Sequence, residues 1–566
     1  MVSSHGMAIF AAFVFATLIG QSALTGTWSA QRIYGPVFQG GPVVVTKSHG
    51  WLAKAEGASV HAPPSSRPIF IFSDRCELRL RVFGDKLEGQ WIQPGDQENA
   101  NAIATPVAFV IVRAGVWRGN ARPIIDSQHL TLVVNAPVAG VAHAFLLNPE
   151  QNAGLFAGLR TLSLRGSTVR LHRDGADDIV GGWDPQRNAL VLKDPGLPGT
   201  FVFRRIEMKT PHPLVYELPQ RTSDGWTTGT LAGAGIDPAA IAKLIDSFTR
   251  VPGQLRSPRI QALLIARHGR LVVDQYFDGF NADRSHDVRS AGKSVTTLMV
   301  GRAIELGAGF APSTPISSIL TKYVPFANYS LSKDRIRVAD LMSMSAGYAC
   351  DDNDDASPGG EDRMQTQTAQ PDWYKFTLDL PMAFSPGARA LYCSAEINLL
   401  GAIIEERTKT WLPDFFYENF ARPMQFGSYG MWLMPPPNHT AYMAGGDVFR
   451  PRDFLKFGEL FLDGGRWHGD QVLDSAWLTA VSTKHSYVED GGGDYGFGWH
   501  LETYRQNGRD VRAIVAGGNG GQLLYVFPQL DMTVMVTGGN YGDYRVWSRF
   551  EKLIPNAILA AVKTPR

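Results

Sequence analysis

Residues 289–307 read RSAGKSVTTLMVGRAIELG, and two unrelated kinds of protein could carry them. Gly292-Lys293-Ser294 would close a phosphate-binding loop if a glycine stood five positions before Gly292, where successive backbone N–H groups curl around phosphate. That position is Asp287, a carboxylate that would repel the ligand. What remains is Ser290-x-x-Lys293 at the start of a helix, where positions i and i+3 share a face and the amine can reach the hydroxyl. Val295 to Leu306 is apolar nearly all round apart from Arg302 and Glu305, as expected of a helix buried in a large domain. A lysine in the first turn of such a helix is costly unless it has a task. The same spacing is also satisfied by an N-cap serine and a lysine that snorkels to solvent.

The chain of 566 residues is long enough for two or three domains, and 44% hydrophobic residues is ordinary for a globular protein. A net charge of +1 without a long basic run points away from nucleic acid and anionic membrane surfaces. Small, nearly neutral molecules are the expected partners. Residues 7–19, MAIFAAFVFATLI, are too few to span a bilayer and are followed by the small residues Gly20, Ser22 and Ala23. That predicts a signal peptide over residues 1–23 and a secreted or periplasmic protein with no stable membrane span after cleavage. The preceding MVSSHG carries no lysine or arginine, which leaves an uncleaved anchor as the alternative. Three cysteines, Cys76, Cys350 and Cys393, are too few for a disulfide scaffold and lack zinc-ligand spacing. Export would permit one bridge, Cys350–Cys393, and three buried thiols are the other possibility.

Residues 24–208 read as strands and turns. LRLRVFGDKLEGQW, TVRLHRDGADDIVGGW and VGGWDPQRNALVLKD each place a turn cluster between strand-like runs, and Gly-x-Trp recurs at Gly26, Gly89, Gly115 and Gly181. An all-β barrel or sandwich of about eight to ten strands is expected, with the tryptophans inside. Its opening TGTW resembles lipocalins. Residues 209–230, with three prolines among polar residues, read as a linker. From 231 to 566 an amphipathic helix, IDPAAIAKLIDSFTRV, and an apolar hairpin, IQALLIARHGRLVVDQYFDG, are followed by helical stretches and then by GQLLYVFPQLDMTVMVTGG, a second hairpin. Strands from both ends of this region should share one antiparallel sheet with helices packed on it, an α+β domain.

Within that domain PGARALYCSAEINLLGAIIEE (386–406) places Tyr392-Cys393-Ser394 ahead of a helix, and AGGNGGQLLYVFP puts glycines 517, 518, 520 and 521 before a strand. Ser-x-x-Lys, Tyr-x-Ser about 100 residues later and a glycine-rich strand near the C-terminus together resemble the serine β-lactamase and penicillin-binding-protein superfamily, in its class C-like esterase branch. RIRVADLMSMSAGY, GGDVFRPRDFLKFGELFLDGGRWHG and YGFGWHL are similar to the same branch. The resemblance implies that Ser290 is acylated and that Lys293 and Tyr392 manage its proton. A serine hydroxyl needs such help, and burial lowers a lysine's pKa. It also implies an oxyanion site built from the Ser290 and Asn519 N–H groups, with Gly518 and Ser394 near the substrate.

Two departures shape the expected substrate. Ala516-Gly517-Gly518 stands where penicillin-recognising members have Lys-Thr-Gly or His-Thr-Gly, so the cation for an antibiotic carboxylate is missing. Tyr-x-Ser replaces Tyr-x-Asn, a variant the resemblance associates with nylon-oligomer hydrolases and related esterases. Hydrolysis of a small ester or amide follows, with no metal or organic cofactor. A D-amino-acid peptidase or cell-wall carboxypeptidase is the rival enzyme, and an inactive binding or scaffolding protein is the rival of another class. The acidic run CDDNDDASPGGED (350–362) has Ala356 where a calcium loop needs glycine, so it reads as a surface loop near the site.

Overall fold

The computed structural model describes residues 22–34, 40–83, 86–95, 101–124, 126–193, 199–207, 216–249, 254–489 and 492–563. The apolar stretch 7–19 and residues 209–215 of the expected linker lie outside them. The N-terminal region is built of strands apart from the short helix Ala153–Ala157, but it forms two bodies. Gly26–Tyr34 pairs along its whole length with Asp126–Val134 and, at its start, with Phe201–Ile206, closing an eight-stranded antiparallel barrel. Residues 41–121, between those first two barrel strands, make eight strands of their own. Each body has a separate core: Trp28, Leu132, Leu171 and Phe203 in the barrel, and Val45, Trp51, Leu78 and Trp91 in the inserted body.

The Gly-x-Trp repeat is divided between them. Trp28 meets Trp183 edge-on at 5.3 Å in the barrel, whereas Trp51 and Trp117 lie 5.7 Å apart in the insertion. At Gly89 and Gly181 a Cβ would come within 1.9 and 1.8 Å of a carbonyl oxygen on the neighbouring strand. The glycine of the motif therefore permits close strand approach in both bodies while the tryptophan two residues on fills the core. One local pattern serves two cores, and so it could not reveal that there are two.

The C-terminal region is built on a nine-stranded sheet. Its order is Thr227–Thr228, Arg270–Tyr276, Ile260–Arg267, Met532–Gly538, Gln522–Phe527, Arg509–Gly518, His500–Gln506, Gly493–Tyr495 and Ser486–Val488, antiparallel apart from the first pair. Strands from both ends of the region meet at the centre, where Ile260–Arg267 pairs with Met532–Gly538. Every residue of these two strands is buried, because helices cover both faces. Pro238–Thr249 and Tyr544–Ala561 pack on one, and Gly292–Glu305 and Ser394–Thr408 on the other. This explains near-continuous apolar runs in place of alternation. The end of the expected linker belongs to this domain. Trp226 is buried, Thr227–Thr228 joins the sheet, and Asp224 accepts a hydrogen bond of 2.6 Å from Arg452.

Both N-terminal bodies touch the C-terminal domain close to Ser290. Met431–Leu433 of that domain pairs with Ala102–Ala104 of the inserted body. From the barrel, Asn152 donates to the Tyr541 carbonyl (2.9 Å), and the Tyr541 hydroxyl donates to the Asp287 carbonyl (3.0 Å), three residues before Ser290.

Candidate active site

Ser290 sits in a single 3-10 turn, Arg289–Ala291, that runs into the Gly292–Glu305 helix. The Val288 N–H donates to the Asp447 carbonyl (3.0 Å), and Arg289 adopts a left-handed backbone (φ 50°) with its guanidinium ion-paired to Asp287 (2.8 Å). A non-glycine residue there costs ~1–3 kcal/mol, a strain that the surrounding contacts hold in place. Every residue from Gly292 to Gly301 is buried. The helix's hydroxyls are nonetheless satisfied: Ser294 donates to the Gly498 carbonyl and Thr296 to that of Met443, both at 2.5 Å.

Lys293 does not snorkel. It is 1% exposed, and its Nζ donates to Ser290 Oγ (2.8 Å) and to the Ala444 carbonyl (2.7 Å). The same Nζ lies 5.0 Å from the centre of the Tyr392 ring. Burial pulls the amine down, as the sequence suggests, but Tyr392, Glu361 and Asp352 together outweigh it and leave Lys293 above its ordinary value. The two carboxylates are the groups that reasoning from sequence did not place.

They arrive through the acidic loop. Cys350 and Cys393 are disulfide-bonded with Cα atoms 5.6 Å apart. The bridge fastens the loop beside Tyr392, whose carbonyl accepts from the Asp352 N–H (2.8 Å). Asp352 Oδ2 then accepts from both the N–H and the hydroxyl of Ser394, at 2.8 and 2.6 Å, and Oδ1 accepts from the Glu361 N–H at 2.9 Å. Burial, and then the charge of Glu361, push the Asp352 carboxyl up to about 6 against the pull of Lys293 and Ser394. Ser394 thus differs from its expected place: it is fully buried, and Asp352 faces the cavity in its stead.

That cavity, of about 510 Å³, is lined by Ser290, Asp352, Glu361, Tyr392, His500 and the Gly517-Gly518-Asn519 run, among others. The site residues expected from sequence are therefore brought together, apart from Ser394. Gly518 belongs there for a steric reason, since a Cβ on it would lie 2.3 Å from the Val288 carbonyl oxygen and 3.1 Å from the Ala291 nitrogen. The strand end is pressed against the serine's turn. Asn519 is fixed by its side chain, whose Oδ1 accepts from the Gly542 N–H (2.9 Å). His500 stacks on Tyr392 with ring centres 6.5 Å apart and ring planes 13° from parallel. Its Nδ1 faces the Gly492 carbonyl at 3.0 Å, so that nitrogen carries the proton. Burial pulls the imidazole's pKa down and keeps it neutral.

The Beta-lactamase family model matches residues 254–547, a span that holds all of these groups. The chain belongs to the beta-lactamase family. A 6-aminohexanoate-dimer hydrolase of Paenarthrobacter ureafaciens is 25% identical to it over 337 residues, 54% of this chain and 81% of that protein. Among solved structures, a putative 6-aminohexanoate-dimer hydrolase from Bacillus anthracis is similar with a TM-score of 0.46 and 16% identity, covering 60% of this chain and 90% of that one. EstCE1, described as a hydrolase with promiscuous acyltransferase activity, gives a TM-score of 0.45 and 19% identity over 59% of this chain and 98% of its own. By family it is a serine hydrolase of the beta-lactamase kind. Asp352 and His500 were within reach of sequence reading, in the acidic loop and in YGFGWHL. Glu502 and Glu551, which also line the cavity, gave no signal, because half-buried polar positions look like ordinary surface.

Proposed function

We propose that this hydrolase cleaves a small ester or amide through an acyl-enzyme on Ser290. The observation that carries this is the 2.8 Å contact from the buried Lys293 amine to Ser290 Oγ inside a cavity. As Oγ attacks the substrate carbonyl, its proton passes to the Lys293–Tyr392 pair and from there to the departing alcohol or amine. The pair accepts this proton in its singly deprotonated form, with Lys293 Nζ donating to the Ser290 and Ala444 oxygens. Asp352 and Glu361 balance the ammonium. The tetrahedral oxyanion would face the Ser290 and Asn519 N–H groups. In the second half the same pair takes a proton from water, which attacks the acyl carbonyl and releases the acid and Ser290.

No lysine or arginine is among the described residues lining the cavity, which favours this over a carboxypeptidase needing to hold a terminal carboxylate. The similarity to a 6-aminohexanoate-dimer hydrolase agrees with amide cleavage. The Cys350–Cys393 bridge supports export to an oxidising compartment. The test is to incubate the protein with para-nitrophenyl acetate, quench in acid and map the adduct by peptide mass spectrometry. An acetyl group on Ser290, lost together with turnover in Ser290→Ala, is the expected result. Turnover that survives in the variant, or an adduct elsewhere, would overturn the assignment.

A further inference from the structure

Four carboxylates line the cavity, Asp352, Glu361, Glu502 and Glu551, and they fall into two pairs. The first pair acts on Lys293, and Lys293 in turn offsets Asp352. The second pair has no such counterpart. Glu502 accepts from the Tyr504 hydroxyl (2.5 Å), and neither Glu502 nor Glu551 is ion-paired with a described residue. Burial and the charge of Glu502 push the Glu551 carboxyl up to about 7, with Lys552 pulling weakly the other way. Two half-buried acids that line one cavity and repel one another, with no ion-pair partner among the described residues, are an arrangement that a bound cation would relieve.

The surroundings suit one. Tyr544, Trp547 and Glu551 stand at i, i+3 and i+7 on the helix Tyr544–Ala561, so all three project from one face, and all three line the cavity. The Tyr544 and Trp547 rings meet edge-on at 4.8 Å. Aromatic faces beside carboxylates are the usual surroundings of an organic ammonium group. We propose that Glu502, Glu551, Tyr544 and Trp547 form a subsite for an ammonium group carried by the substrate, so that the hydrolase prefers cationic esters and amides. This rests on the Ser290 assignment above, since it concerns the substrate of the same cavity.

Two substrate series test it, because the ammonium could sit on either side of the scissile bond. In the first, para-nitrophenyl esters of an ω-aminoalkanoic acid, the alkanoic acid of equal length and the corresponding diacid vary the charge of the acyl part. In the second, acetylcholine and its uncharged tert-butyl isostere vary the leaving group. The expected result is a kcat/KM at least about tenfold higher for the cation than for its neutral isostere in one series. The double variant Glu502→Gln/Glu551→Gln should bring that ratio to within about twofold. Absence of a cationic preference in both series, with the neutral esters still hydrolysed, overturns the subsite and leaves the Ser290 assignment standing. A preference undiminished in the double variant also overturns it. Should the double variant not fold, the two single variants are read by the same ratio. If no ester of either series is hydrolysed, or turnover survives Ser290→Ala, it is the catalytic assignment that has failed.

Discussion

Gly518→Ala tests whether the strand end at Gly518 positions the serine. The added Cβ would lie 2.3 Å from the Val288 carbonyl oxygen. Contact distances for such atoms are near 3.4 Å, so the strand and the turn must part by about 1 Å. The Val288 carbonyl cannot yield alone, because it accepts the Ala291 N–H that closes the turn containing Ser290 (3.2 Å). A displacement of that size at a reacting atom costs about 100-fold in rate, and the overpacking about 1–3 kcal/mol of stability. Gly517→Ala is the control, since its Cβ would meet nothing nearer than 3.9 Å, at His500 and Leu523. Active-site titration by the para-nitrophenol burst, steady-state kcat and thermal unfolding should be measured on both. Gly518→Ala should remain folded with kcat down about 100-fold, and Gly517→Ala should keep kcat within about threefold. Near-normal kcat in Gly518→Ala, or equal damage from both, would refute the idea that this contact fixes the geometry.

Further outcomes follow from the buried acids and the bridge. Glu396 is buried and its carboxyl is pushed up to about 8 by burial, against hydrogen bonds from the Ala346, Tyr348 and Gly347 N–H groups. Its contribution to stability is present at acid pH and is lost as pH rises from its unfolded value through about 8, with a slope of up to about 1.4 kcal/mol per pH unit. Glu396→Gln should flatten that dependence in denaturant titrations, and an unchanged slope would show that Glu396 is not its source. Ser394→Ala removes the 2.6 Å hydrogen bond to Asp352. The acid limb of kcat/KM, expected near the Asp352 value of about 6, should move up by about one unit, and no movement would show that the Asp352 charge does not support Lys293 in turnover. Replacing Cys350 and Cys393 together by serine opens a loop of 43 residues. Stability should fall by at most about 4 kcal/mol while kcat falls further than the shift in melting temperature accounts for, because Asp352 loses its anchor.

The Ser290, Lys293 and Tyr392 set was legible because each residue is fixed by local spacing. An i, i+3 pair on one helix face, or a tyrosine just ahead of a helix, is visible along the chain whatever surrounds it. The central sheet was legible for a similar reason, since apolar hairpins near the two ends of a domain have few ways to be buried other than side by side. Ser394 was placed by its neighbours in sequence and proved to face inward, bonded to Asp352, a partner 42 residues away. The division of the β region was hidden because strand pairing is non-local: Tyr34 is paired with Asp126, across an entire inserted body.

By itself, then, the sequence determined the family resemblance, through Ser290-x-x-Lys293 and Tyr392-x-Ser394 set at fixed short spacings. Only the tertiary structure decided the charge of the site. The field at Lys293, and the acids Glu502 and Glu551 without an ion-pair partner among the described residues, arise from a loop, a strand and a helix distant along the chain, and burial strengthens their mutual Coulomb interaction.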